Sequence, residues 1–200
     1  MTAIRNDFVI NALIRADALT DHTHNNLVKK HEFRKQTVLA DKTLTNDEKS
    51  ELIKILAEGY DRDKILLNQG TTRICENCHE ECLATLYCEH CIRNYLKTKF
   101  SNWTSGNNDI DNLIQKCQMK SISPYNIMEW IPYHNFRNIK YLTKGGCSEI
   151  YSADWIGGSY HKWDSKEQKL KRYGTGEVIL KRLKNVESAN RSWFDEVCNL

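Results

Sequence analysis

The clearest run of hydrophobic positions in the first third of the chain follows a helix start signal. Thr45 and Glu48 fit a capping box, in which the Thr side chain binds the backbone of Glu48 and the Glu side chain reaches back. The hydrophobic positions that follow are Leu52, Ile53, Ile55 and Leu56. Their spacing predicts a helix over 45–58, with Gly59 where the helix ends. The simplest interpretation is a helix packed on its own neighbours rather than one that binds a partner.

Helical spacing is weaker over 1–35 and reappears over 92–100 and 110–119. From Trp130 onward the pattern changes to short runs of hydrophobic and β-branched residues, which are typical of strands. A Gly-Gly turn follows the first of these runs, and a long polar stretch precedes the third. The predicted strands are 139–142, 149–155 and 177–183. Residues 190–200 return to helical spacing, so the whole pattern predicts an α+β fold.

The composition is that of a globular protein, since 40% of the 200 residues are hydrophobic and 28% are charged. The net charge is +3, and Lys and Arg are interleaved with Asp and Glu, so nucleic-acid binding is not expected. No uninterrupted hydrophobic stretch has the length of a secretion signal or of a membrane span. We therefore expect an intracellular protein, cytoplasmic or nuclear and not secreted, without a membrane partner.

Two Cys-x-x-Cys pairs stand close together in the middle of the chain. Cys75 and Cys78 form the first pair, and Cys88 and Cys91 form the second after nine intervening residues. Each pair can wrap a tight turn around one metal ion, and four thiolates complete a tetrahedron around zinc without an open position. In a reducing compartment this arrangement favours a metal over disulfides. The sequence therefore predicts a structural zinc site, in a small module that resembles a zinc ribbon or treble clef.

Other ligand sets are possible within the same stretch. Cys82, His79 and His90 all lie between the first and the last cysteine of the two pairs, so one of them can replace an assigned ligand. A module without metal is the remaining alternative. The segment 83–87 is predicted to form the strand between the two pairs, and the helix predicted at 92–100 begins directly after Cys91.

A glycine hairpin, a strand lysine and a glutamate follow one another in the last third of the chain. The hairpin spans 142–151 and turns at Gly145 and Gly146. Lys181 ends the run Val178-Ile179-Leu180-Lys181, and Glu196 follows fifteen residues later. A glycine turn lets backbone N–H groups approach phosphates, a strand lysine holds the α- and β-phosphates, and a helix glutamate fixes that lysine by an ion pair.

In order and spacing these segments resemble the start of a protein kinase domain, with its glycine-rich loop, third-strand lysine and following helix. The resemblance implies that Glu196 is the ion-pair partner of Lys181. The residues implied to bind ATP are Leu142, Gly145, Gly146, Ile150 and Lys181. The glycine loop departs from the family pattern at Thr143, Cys147 and Ser148, and Ile179 replaces a small residue beside the adenine position.

From about Leu44 onward the chain also resembles a lineage-expanded group of fungal protein kinases, of tyrosine-kinase-like or serine/threonine type. The segments 102–107 and 129–133 carry this wider resemblance, together with the two cysteine pairs. It implies phosphoryl transfer from ATP, with magnesium, to protein hydroxyls in a complete product. No His-Arg-Asp or Asp-Phe-Gly segment occurs here, so we expect a truncated domain that is inactive alone.

The alternative function is a zinc-dependent protein-interaction module joined to a vestigial kinase segment. The kinase substrate or protein partner is not predicted by any motif. The domain organisation expected from the patterns has four parts. These are an N-terminal helical region (1–70), the four-cysteine zinc module with its helix (71–100), a linker with a short helix (101–129) and a partial kinase N-lobe of three strands and the following helix (130–200).

Overall fold

A computed structural model describes residues 4–20, 26–146 and 148–183 of the chain. Helices and antiparallel strands occupy separate stretches of these residues, which confirms the predicted α+β class. The chain divides after His90 into two compact units. Among the described residues, no helix is both long enough and apolar enough to cross a membrane.

Three helices form the core of the first unit: α1 (Asn6–Thr20), α2 (Leu27–Ala40) and α3 (Asn46–Leu67). Helices α1 and α3 each carry small or branched residues at helical spacing, and α2 contributes Val38 to the same core. The buried members of this core are Val9, Ala12, Ala16, Val38, Leu44, Leu52 and Leu56. The helical character predicted for 1–35 is thus present in α1 and in the first part of α2.

The capping box predicted at the start of α3 is confirmed. Thr45 accepts a hydrogen bond from the backbone N–H of Glu48, and Glu48 Oε2 accepts one from the backbone N–H of Thr45 at 2.8 Å. The Glu48 carboxylate also binds the Arg5 guanidinium at two points, both at 2.8 Å. The cap therefore joins the start of α3 to the residue just before α1.

The predicted end of this helix at Gly59 is wrong, because α3 continues to Leu67. Tyr60 stacks on His31 of α2 with ring centroids 4.2 Å apart, and that contact lies beyond the glycine. Tertiary packing offsets the cost of about 1 kcal/mol that a glycine imposes inside a helix. The helix ends instead at Asn68, whose left-handed backbone (φ 49°) lets its N–H return to the Ile65 carbonyl.

A two-stranded hairpin follows α3 and leads into the next helix. Strand β1 (Arg73–Ile74) pairs antiparallel with β2 (Glu81–Cys82). Helix α4 (Glu89–Lys97) then begins in the first unit and continues into the second. A 3-10 turn at Phe100–Asn102 and helix α5 (Asn108–Met119) follow, and α5 confirms the helix predicted at 110–119.

The second unit contains a three-stranded antiparallel sheet. Its strands, in their order across the sheet, are β3 (Phe136–Lys144), β4 (Ser148–Trp155) and β7 (Gly176–Leu183). A 3-10 turn at Tyr133–Asn135 precedes β3. The three strands lie where strands were predicted, with longer ends. The helix predicted at 190–200 lies outside the described residues.

The polar stretch between β4 and β7 forms a second hairpin that the sequence pattern did not indicate. Strand β5 (Tyr160–Asp164) pairs with β6 (Lys169–Arg172), and its main buried side chains are Trp163 and Leu170. The Arg172 guanidinium stacks on the Tyr160 ring 3.8 Å from its centroid and forms an ion pair with Glu129. Burial raises the pKa of the Glu129 carboxyl, against the opposite effect of Arg172.

Candidate metal centre

The first cysteine pair lies in a tight turn between β1 and β2. The backbone N–H of Cys75 donates to the Glu80 carbonyl, and the N–H of His79 donates to the Cys75 carbonyl, both at 2.9 Å. His79 has a left-handed backbone (φ 59°), which folds the chain back on itself. This turn buries Cys75 and leaves Cys78 half-buried.

The second cysteine pair lies at the start of α4. Cys88 directly precedes the helix and Cys91 lies in its first turn, so the sequence prediction that Cys91 precedes the helix is off by one turn. Both are buried, and the partial positive charge of a helix N-terminus favours thiolates there. The Glu89 carboxylate accepts a hydrogen bond from the Leu83 backbone N–H at 2.8 Å, which ties the first residue of the helix to the preceding loop.

The structure brings all four predicted ligands together. The sulfur atoms of Cys75, Cys78, Cys88 and Cys91 all lie within 4.8 Å of one another, and those of Cys78 and Cys88 are 3.6 Å apart. Four sulfur atoms at about 2.3 Å from a tetrahedral zinc ion are separated by about 3.8 Å. The four cysteines can therefore hold a metal ion such as zinc.

A second, overlapping group contains the fifth cysteine of the stretch. The ligand atoms of Cys82, Cys88 and Glu89 also lie within 4.8 Å of one another, and all three residues are buried. This group shares Cys88 with the first and offers only three ligands. Burial raises the pKa of the Cys82 thiol. Because it lies in this group, Cys82 stays a rival ligand, but of the two groups only the first supplies a complete tetrahedral set.

The histidines are less well placed than the cysteines. His79 is exposed in the turn of the first pair, and His90 Nε2 lies 3.1 Å from the Glu81 carbonyl oxygen. Neither belongs to a group of close ligand atoms among the described residues. Outside this stretch, Cys117 is half-buried and takes part in a disulfide. An isolated cysteine is more often a buried free thiol.

The predicted strand at 83–87 is wrong. This segment is an irregular loop whose backbone groups bind side chains instead of a neighbouring strand. Arg73 donates from Nε to the Ala84 carbonyl at 2.8 Å and from Nη2 to the Tyr87 carbonyl at 2.6 Å. Tyr87 is buried, and this burial raises the pKa of its hydroxyl. The loop between the cysteine pairs is thus fixed by charged side chains.

The residues proposed from the sequence to bind ATP lie around the β3–β4 turn and on β7. The Gly145 N–H donates to the Ser148 carbonyl at 2.8 Å, which closes a tight turn with Gly145 and Gly146 at the surface. Ile150 is directly opposite Lys181, and Leu142 lies at a register shift of β3. Cys147 and Glu196 lie outside the described residues, so the ion pair predicted for Lys181 and Glu196 stays a prediction.

Comparison of the chain with known protein families, curated proteins and solved structures finds no match.

Proposed function

We propose that the four cysteines of the metal centre bind one structural zinc ion, which holds the β1–β2 hairpin and the start of α4 together. The observation that carries this proposal is the convergence of four sulfur atoms within 4.8 Å. Four thiolates fill the coordination sphere of zinc, so no position is left for a substrate or a catalytic water. Zinc contributes folding free energy here, as in other small metal modules with little core of their own.

The ligand set is tested by X-ray absorption at the zinc edge on the purified 200-residue chain. We expect four sulfur ligands in the wild type and in Cys82→Ser, because Cys82 is outside the complete set. Cys78→Ser should lose a sulfur ligand or lose zinc altogether, because Cys78 belongs only to the complete set. A sulfur count that falls in Cys82→Ser and is unchanged in Cys78→Ser contradicts the assigned set and favours the overlapping group.

A second candidate function is ATP binding by a protein-kinase-type lobe that begins near Trp130. The observation that favours it is the register of the three-stranded sheet. Thr143, Ile150 and Lys181 oppose one another across the strands, and opposite residues of antiparallel strands share a face. Ile179 lies two residues before Lys181 and so shares this face too. This face could bind a nucleotide: the glycine turn and Lys181 would contact its phosphates, and the apolar Ile150 would contact its adenine.

Titration of the chain with magnesium-ATP in a calorimeter tests this second candidate. Saturable binding at one site per chain supports a nucleotide-binding lobe, whose complete form transfers phosphate to protein hydroxyls. Absence of binding to the zinc-loaded, folded chain favours the alternative, a zinc-dependent protein-interaction module with a vestigial kinase segment. Glu196 is the proposed ion-pair partner of Lys181 in the first case.

A further inference from the structure

A buried ion pair lies on the last turns of α3. Asp61 and Lys64 are only 1% and 3% exposed, and Lys64 Nζ lies 3.0 Å from Asp61 Oδ1. The chain closes over this pair after the helix ends, since a Cβ at Gly70 would meet the Lys64 side chain at 2.9 Å. Charges this deeply buried are found in proteins only when they are paired or hydrogen-bonded.

The partners of Asp61 lie in the loop between the two cysteine pairs. Asp61 Oδ2 accepts hydrogen bonds from the backbone N–H groups of Thr85 at 2.8 Å and of Leu86 at 2.7 Å. Asp61 Oδ1 accepts one from the Thr85 hydroxyl at 2.8 Å, and Lys64 Nζ lies 2.9 Å from the same hydroxyl oxygen. The carboxylate thus engages two backbone donors and two side-chain donors.

The two faces of this loop are bound by opposite charges. Its N–H groups at Thr85 and Leu86 bind the Asp61 carboxylate, while its carbonyl groups at Ala84 and Tyr87 bind the Arg73 guanidinium. Each charge is matched to the backbone groups it faces, and hydrogen bonds to charged groups are about twice as strong as neutral ones. The loop ends one residue before Cys88, so its conformation fixes where the second pair starts.

We propose that Asp61 is a positioning residue for the metal centre, acting through the loop and not through the metal. This inference rests on the proposed binding of a metal by the four cysteines. With the loop held, the second cysteine pair is ordered before the metal arrives. Without Asp61, metal binding must also supply the ordering free energy of the loop. Groups that orient metal ligands from outside the coordination sphere typically change metal affinity by about 10- to 100-fold.

The test is a cobalt(II) titration of the full chain, followed by the absorption of the tetrahedral thiolate complex. Asp61→Asn keeps the size of the side chain and removes the charge, and we expect its cobalt affinity to fall about 10- to 100-fold. The absorption bands should keep their positions, because the four ligands are unchanged. Asp63→Asn is the matched control, since Asp63 lies on the same helix and its ion pair is with Arg62 of that helix.

Thr85→Val is the second variant, for the case that Asp61→Asn does not fold. It removes only the hydroxyl that Asp61 and Lys64 share, and it should weaken cobalt binding in the same direction while its helical circular dichroism stays normal. Equal affinities for the wild type, Thr85→Val and any folded Asp61→Asn would overturn the positioning role. Absence of cobalt binding by the wild type would instead overturn the proposed metal centre itself, so the two failures are distinguishable.

Discussion

Lys181 lies directly opposite Ile150 in the register of β4 and β7, so the two side chains share one face of the sheet. Lys181 is exposed there, and Ile150 is half-buried. The opposite face carries the Tyr141–Tyr151 contact, with ring centroids 5.6 Å apart. The two faces therefore differ in chemistry, and the lysine stands on the one that the kinase resemblance assigns to the nucleotide.

Replacing Lys181 with Met tests that assignment. Magnesium-ATP at one hundred times its dissociation constant should stabilise the wild type by about 2.7 kcal/mol, as mass action requires. Lys181→Met should lose most of this stabilisation, because methionine keeps most of the length of the side chain but removes the charge that would hold the phosphates. Thermal unfolding with and without nucleotide measures the effect. Lys162→Met, on the β5–β6 hairpin, is the control, and equal shifts in both variants would argue against Lys181 as a ligand.

The cap of α3 should make the stability of the first unit depend on acid. Hydrogen bonds from Arg5 and then Thr45 hold the pKa of Glu48 well below its ordinary value of 4.5. A depressed pKa adds stability that is complete above the ordinary value and is lost as the pH falls below it. The stability difference between wild type and Glu48→Gln should therefore shrink from about pH 6 to about pH 3.

Chemical denaturation at each pH measures that difference directly. Glu51→Gln is the matched control, since Glu51 lies in the same helix and its ion pair with Lys54 is exposed to solvent. Its difference from the wild type should change little over the same range. A Glu48→Gln difference that stays constant with pH would mean that the bonds between Glu48 and Arg5 add no charge-dependent stability.

Gly59 should be replaceable by Ala with a gain in stability. It lies in the interior of α3, and a Cβ there would meet no atom within 4 Å apart from those of its chain neighbours and the surrounding helix backbone. Alanine is better than glycine by about 1 kcal/mol at such a site, because glycine loses more backbone freedom on folding. The free energy of unfolding from urea denaturation should rise by about that amount. A loss of stability would show that the helix does not continue through residue 59.

Gly158 should not tolerate the same change. Its backbone is left-handed (φ 60°), and a Cβ there would lie 2.1 Å from the Gly174 carbonyl oxygen. Gly158→Ala should therefore destabilise the protein by more than the roughly 1–3 kcal/mol of backbone strain alone. Gly174→Ala is the control, since Gly174 is also left-handed (φ 90°) but has open space around it. Equal losses in both variants would mean that the close approach of the two turns is absent.

The features that the sequence predicts best are those set by neighbouring residues. The capping box at Thr45 depends on a four-residue pattern, and the metal centre depends on two short cysteine spacings. Both were found because the groups that satisfy each other are close in sequence. The three sheet strands were found for the same reason, since each carries its own run of apolar and β-branched residues.

The features that were missed depend on distant contacts. The extension of α3 past Gly59 relies on Tyr60 stacking against α2, which outweighs the local stop signal. The β5–β6 hairpin carries few apolar residues, so its periodicity was too weak to detect. Asp61 was missed because a charged helix residue ordinarily faces solvent, and its partners lie more than twenty residues away.

The metal content of the chain, purified without chelator, decides whether the four cysteines form a zinc site. Elemental analysis against the protein concentration should give about one zinc per chain, the number that four thiolates in a single tetrahedral set can hold. The same analysis of a Cys75→Ser and Cys78→Ser double variant should give far less. Zinc-free wild-type protein would contradict the proposed centre, because four cysteines whose sulfur atoms lie within 4.8 Å of one another would then hold no metal.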